Sequence, residues 1–369
     1  MRFPEFSGEW TKTKLGDIGT TLIGLTYSPK DVVPSGGTIV LRSSNIKGGL
    51  TDYNDIVRVN KKIKESIITR VDDLLICARN GSARLIGKNA ILKQEDCGHT
   101  FGAFMMVYRA QNNKFVHQLL NTKRYYSQVG ENLGARINQI TTSDLNSFEF
   151  YFPQTLNEQN KIASMLSLLD DRIATQIKII EKLESLIKGL YERLFNIDGA
   201  AYIQLGNVAK IQKGQQINGE ELSEIGSYYV MNGGVVPSGY LEDFNTPANT
   251  ISISEGGNSC GYVQYNGVPF WSGGHCYTLI EPINSFNYKY LFHYLKFKEQ
   301  SIMALRIGSG LPNIQKKDLE RFPILNVSKE EQDKMACIFD DILDRIICER
   351  QIALKYEEQK KYLLSNLFI

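Results

Sequence analysis

From residue 155 to 195, apolar side chains recur at Ile162, Leu166, Leu169, Ile173, Ile177, Ile180, Leu183, Ile187, Leu190 and Leu194. The mean step is about 3.5 residues, the period of a helix laid against another helix and not that of a strand. The pattern returns at Met335, Phe339, Ile342, Ile346, Leu363 and Leu367, with a more polar stretch between. Each stretch opens on a hydroxyl residue with Glu three places on, Thr155 with Glu158 and Ser328 with Glu331. Such a capping box satisfies N–H groups that the first helical turn leaves open. Glu184 with Lys188 and Glu357 with Lys361 add favourable pairs on the outer face. Asn196 and Gly199 supply an end for the first helix. A rod of about forty residues would be roughly 60 Å long.

Elsewhere the pattern is short and β-like. GTIVLRSSN, DLLICAR and FMMVYRA precede the first helix, and YYVMNGG, NTISISEGG, GYVQYNG and CYTLIEP precede the second. These β-branched and aromatic runs, punctuated by Gly, Asn and Pro, predict two α+β domains with β-rich cores. Residues 115–126 and 287–300 each predict a short helix. The chain therefore divides into a first β-rich domain (1–154), a first long helix (155–198), a second β-rich domain (199–327) and a second long helix (328–369).

The two halves are copies. With a shift of 173, residues 158–195 pair with 331–368 without a gap and match at 14 of 38 positions, among them Glu158/Glu331, Gln159/Gln332, Asp171/Asp344 and Phe195/Phe368. Upstream the shift becomes 174 and still matches Ile140/Ile314 and Asp144/Asp318. LGDIGTTLIG (15–24) resembles LGNVAKIQKG (205–214), and Gly98-His99 resembles Gly274-His275. A duplicated amphipathic helix has an obvious partner for its stripe in its own copy, related by a pseudo-twofold axis and hence antiparallel. The expected result is two heads held apart by a helical spacer.

Composition narrows the chemistry. At 369 residues, 42% apolar and 22% charged, the chain is ordinary globular material with enough for two cores. No signal peptide and no apolar run of membrane-spanning length is seen, so a cytoplasmic protein is expected. Six cysteines (77, 97, 260, 276, 337 and 348) without a CxxC imply reduced thiols and no metal. Residues 1–157 hold 20 Lys and Arg against 14 Asp and Glu, whereas 199–329 hold 10 against 10. Only the first head is clearly basic.

Its polar loops carry Arg42, Ser44, Asn45, Lys47, Lys61, Lys62, Arg79, Asn80, Arg84, Arg136, Asn138 and Gln139. The second head offers Asn232, Asn258, Ser259, Tyr262, Ser309, Asn313, Gln315 and Lys316. Such side chains suit phosphates and base edges, and a solvated loop surface has the same composition. Signals for catalysis fail on context. Gly257–Gly261 fits the hydrolase elbow G-x-S-x-G but precedes a strand-like run where that motif needs a helix. His99 and His275 lack partners at ligand spacing, and Asp170-Asp171 and Asp340-Asp341 sit on the predicted rods, as solvated faces or partner contacts.

NEQNKIASMLSLLDDRI…LIKGLYERLF and KEEQDKMACIFDDILDRI…YLLSNLF each close a domain introduced by LGDIG or LGNVA. With the opening RFPEFSGEW, these motifs resemble the repeats of specificity subunits of type I restriction–modification systems. The resemblance implies two target-recognition domains, each reading one half of a bipartite, asymmetric site in double-stranded DNA, with the helical pair setting the gap. It also implies partners: two methyltransferase subunits that modify adenine N6 using S-adenosylmethionine, and restriction subunits driven by ATP and Mg. The chain itself would then be non-catalytic, hold no cofactor and lie on the nucleoid when bound to DNA. A different class remains open beside it, a two-headed scaffold that binds proteins through a helical spacer.

Overall fold

The computed structural model describes residues 2–133, 138–308 and 312–368. The periodic stretches form two long helices, Leu156–Phe195 and Lys329–Leu367. The chain resolves into two compact units, one running up to Gln176 and resuming at Ile352, the other spanning Ile177–Gln351. Each unit therefore contains one head, the opening half of the helix that follows it, and the closing half of the other long helix.

Both heads are built alike. In the first, a four-stranded antiparallel sheet has the order Gly19–Ile23, Met105–Ala110, Leu74–Cys77, Asn89–Ile91. In the second, Lys210–Lys213, Cys276–Ile280, Thr250–Ser254 and Val263–Asn266 repeat that order. Register agrees as well, since Met105 faces Cys77 and Cys276 faces Ser254. A smaller sheet adds one parallel pair per head, Thr100–Phe101 beside Thr38–Leu41 and Trp271–Ser272 beside Tyr228–Met231.

The strand Leu74–Cys77 is fully buried because both faces are covered. Leu74 and Ile76 meet the helices, while Leu75 and Cys77 meet the smaller sheet. This explains an apolar run without alternation. In the second head the same strand alternates: Ile251 and Ile253 join the main core, and Ser252 and Ser254 face the other way. Where one short helix per head is expected there are two, Asn113–Leu119 and Lys123–Leu133 in one head, Tyr288–Phe297 and Glu299–Met303 in the other. Thr122 makes the break in the first head, bonding Leu119 O through its hydroxyl and receiving Tyr125 N.

Two repeated glycines are explained by close approach. A Cβ on Gly24 would lie 2.2 Å from Gly102 O, and one on Gly214 would lie 2.3 Å from Gly273 O. At both places the strand end runs against the backbone of a loop that a side chain would push away. The repeated Gln159 and Gln332 dock head to helix: their Nε2 atoms donate to Pro153 O (3.1 Å) and Val327 O (2.9 Å). Their Oε1 atoms accept from Asn112 and Asn287, the N-caps of Asn113–Leu119 and Tyr288–Phe297.

Within each unit the helical halves run antiparallel. In the first, Lys360 pairs with Asp170, and Arg172 donates to the Tyr356 hydroxyl at 3.0 Å. In the second, Arg350 meets Glu184 at 2.6 Å, and Phe339 packs between Tyr191 and Phe195 at 4.6 and 5.3 Å between ring centroids. Burial defines a strict heptad, with Leu166, Leu169, Ile173, Gln176, Ile180, Leu183, Ile187, Leu190 and Leu194 on the covered side. One repeat length of 173 residues further on lie Phe339, Ile342, Ile346, Glu349, Ala353, Tyr356, Lys360, Leu363 and Leu367. Ile162 and Met335 belong to the same sides, packed into the cores of their units.

One seam assignment is corrected. Ile177 is 44% exposed, while its neighbour Gln176 is 8% exposed. Steps of 4, 3 and 4 from Leu169 land on 173, 176 and 180, so the polar residue takes the buried place and the isoleucine turns out. The capping boxes also differ. Ser328 and Glu331 bond reciprocally, but in the first copy only Glu158 N to Thr155 Oγ1 (3.3 Å) forms. The Glu158 carboxylate is buried against Arg2, at 2.7 Å on both oxygens, and Trp10 Nε1 at 3.2 Å.

Candidate nucleic-acid interface

In each head two loops at one end of the main sheet are met by a loop from the smaller sheet and by the segment before a short helix, and these bond to one another. In the first head Ala78 N and Arg79 N donate to Phe104 O (2.9 and 3.0 Å), Ile140 N donates to Ala78 O (2.9 Å), and Arg79 bridges Gln139. Asn80 Nδ2 reaches Ser43 Oγ at 2.9 Å, and Asn138 Nδ2 reaches Gly81 O at 3.0 Å. The second head repeats the frame: Glu255 N donates to His275 O (2.9 Å), Ile314 N to Glu255 O (2.9 Å), and Gly256 bridges Asn313.

This frame corrects one equivalence. His275 stands where the first head has Phe104, not His99. His99 precedes the strand Thr100–Phe101, whose counterpart is Trp271–Ser272, so its counterpart is Phe270. Insertions of different length hid this from a single shift.

The frame is constant and its side chains are not. Arg79 is replaced by Gly256, Ala78 by Glu255 and Phe104 by His275. Glu255 is buried, accepting from Lys213 Nζ (2.6 Å) and the Tyr277 hydroxyl (3.1 Å), with His275 Nδ1 3.6 Å from its other oxygen. Burial, and then the charge of Glu255, raises the Tyr277 phenol. The hydroxyl is thus held as a donor. Asn232 Oδ1 accepts from His275 N at 3.0 Å.

Among the residues expected to touch DNA, Ser44, Lys47, Lys62, Arg79, Arg84, Asn258, Asn313 and Gln315 are exposed. Arg42 is half-buried and pairs with Asp55 at 2.7 Å, holding that carboxyl below its ordinary value. Lys61 donates to Thr26 O (3.1 Å) and Lys316 approaches Glu320 (3.6 Å), so both are partly engaged within their heads. Tyr262 is half-buried under the Lys296 ammonium, 4.2 Å from its ring centroid. Ser259 is half-buried in a turn that leads into the strand Val263–Asn266.

Asn45 is a correction. It is 1% exposed. It donates to Asp52 O and Asp55 O (both 2.9 Å) and accepts from Arg42 N (2.9 Å), so its amide is consumed in holding the loop. Arg136 and Ser309 lie outside the described residues. Asp170 and Asp340 are not simply solvated faces, since Asp170 pairs with Lys360 and Asp340 bonds His293 Nε2 at 2.9 Å. Phe104 was missed because the run FMMVYRA reads as strand from its first residue. The strand begins at Met105, and Phe104 projects from the preceding turn.

Among the described residues no group of three or more His, Cys, Asp or Glu is arranged to hold a metal ion. Among the same residues no helix is long and apolar enough to cross a membrane.

A family model described as the type I restriction modification DNA specificity domain matches residues 7–185 and again 198–357. A type I specificity subunit of Mycoplasma genitalium is 24% identical over 308 residues, 79% of this chain and 76% of that protein. One from Mycoplasma pneumoniae is 37% identical over 122 residues, 32% of each. The StySPI specificity subunit of Salmonella potsdam is 25% identical over 193 residues, 48% of this chain and 40% of that protein. In fold, the crystal structure of a type I restriction-modification S subunit from M. genitalium superposes with a TM-score of 0.75 at 20% identity, covering 100% of this chain and 99% of the other.

Proposed function

This chain belongs to the type I restriction–modification DNA specificity family, and from that premise we propose that each head reads one half of a bipartite, asymmetric site in double-stranded DNA. As a specificity subunit it is a non-catalytic component concerned with DNA recognition. The observation that carries the reading is the loop frame built twice with different side chains. Two equal frames present two different surfaces, which is what an asymmetric site requires. Arg79, Asn80 and Gln139 gather at one end of the basic head with the chemistry of phosphate and base-edge contact.

The paired helices set the unread gap, and their outer faces dock two methyltransferase subunits, with restriction subunits joining them. S-adenosylmethionine, ATP and Mg belong to those partners, and the complex works in the cytoplasm on the nucleoid. The 173-residue recurrence of the seam supports a spacer role, because a spacer of fixed length needs one register. Adding seven residues, one heptad, to both long helices should lengthen the gap and leave both half-sites unchanged. A change in a half-site instead would place readout on the helices.

The test is a genome-wide map of N6-methyladenine with and without this gene, in a host whose companion methyltransferase is expressed. Loss of methylation at one gapped, asymmetric motif establishes the function. An unchanged map favours the two-headed protein scaffold, a reading to which the neutral second head lends some weight. Salt separates the two in vitro, since affinity for DNA falls steeply with ionic strength as counterions are released.

A further inference from the structure

Phe104 is 59% exposed, although every residue of the strand it precedes is buried or half-buried. Its backbone is held firmly: its carbonyl accepts from Ala78 N and Arg79 N, and Met105 N closes the turn onto Gly102 O at 2.8 Å. The turn itself sits against Gly24, which has no room for a side chain. The ring is therefore presented to solvent by a rigid loop, with the Arg79 guanidinium over it, 5.2 Å from its centroid.

An exposed phenyl ring contributes nothing to a core. A ring fixed beside a cation, among Asn80, Ser43 and Gln139, has the makings of a stacking platform. Bases stack on such rings, an arginine adds cation–π attraction, and apolar wedges open base steps in duplex DNA. Rigid presentation lowers the ordering cost on binding.

Resting on the DNA-recognition reading above, we propose that Phe104 is a specificity-determining residue of the first head that stacks into its half-site, unstacking one base step with Arg79 beside it. The second head carries His275 and Gly256 at the equivalent places and lacks this pair. Unstacking by this pair is accordingly confined to one half of the site.

The test uses the full chain assembled with its methyltransferase subunits and a duplex carrying the mapped site, with 2-aminopurine scanned through both half-sites. Binding should raise fluorescence at a position in one half-site in a manner that depends on Phe104. Phe104→Ala should abolish that rise and weaken binding roughly ten- to a hundred-fold. Phe104→Trp should restore both, and His275→Ala should leave the rise in place. Because Phe104 lies outside the core, Phe104→Ala should melt with the wild type. If Phe104→Ala binds and fluoresces as wild type does, the stacking role is wrong while DNA recognition stands. If the wild-type complex binds no duplex site-specifically, the recognition reading falls and this proposal with it.

Discussion

Asp170 and Lys360 form an ion pair although 190 residues separate them in sequence. Lys360 occupies a seam position whose counterpart in the other helix is Ile187, so it places a charge where its repeat has a hydrocarbon. Asp170 also accepts from Gln118 Nε2 at 3.2 Å, which ties the pair to the first head. Removing one partner leaves a poorly solvated charge, and removing both does not. In a double-mutant cycle of Asp170→Asn and Lys360→Met, followed by urea unfolding, a coupling of about 1–2 kcal/mol is expected. A coupling near zero would mean that the contact contributes nothing to stability.

His117 gives the fold a pH dependence. Burial pushes its imidazole down to about 4 from an ordinary 6.5, with Lys360 reinforcing the shift and Asp170 opposing it. The folded state therefore binds this proton less readily than the unfolded chain. Its contribution is complete above pH 6.5, declines as pH falls from 6.5 towards 4, and by then has lost roughly 3 kcal/mol. His117→Leu should flatten that part of the stability profile measured by denaturation between pH 4 and 7. An unchanged slope would show that His117 is not its source.

The glycines offer opposite outcomes. Gly24→Ala and Gly214→Ala force a methyl group against a backbone carbonyl and should each destabilise their head by about 3 kcal/mol or more. Gly189 lies within the first long helix, and a methyl group placed on it would meet nothing within 4 Å. Gly189→Ala should stabilise by up to about 1 kcal/mol, because it removes glycine's helix penalty. Thermal melts of the three variants would show at once whether close approach governs the first two.

The corrected seam can be checked at two positions of the first long helix. Leu166 is fully buried and Ile177 is not. Leu166→Ala should cost about 2–5 kcal/mol, whereas Ile177→Gln should stay within about 0.5 kcal/mol. Equal losses would return Ile177 to the seam.

Both long helices, their antiparallel partnership and the duplication were legible in the sequence, because heptad period and repeated capping signals are local properties that survive divergence. The strands were legible for the same reason: TIVL, LLIC and TISIS carry their β character in consecutive residues. The tertiary structure alone decided that Gln176, and not Ile177, faces the seam, since a one-residue choice in a 3.5-residue period depends on what covers the helix. It alone consumed Asn45 in the loop it supports, through hydrogen bonds to residues up to ten positions away. It alone paired Phe104 with His275 across insertions of unequal length, because equivalence there is set by which carbonyl meets which N–H. Composition lists the side chains able to touch DNA, and the close packing of loops at one end of each main sheet determines which of them face outward together.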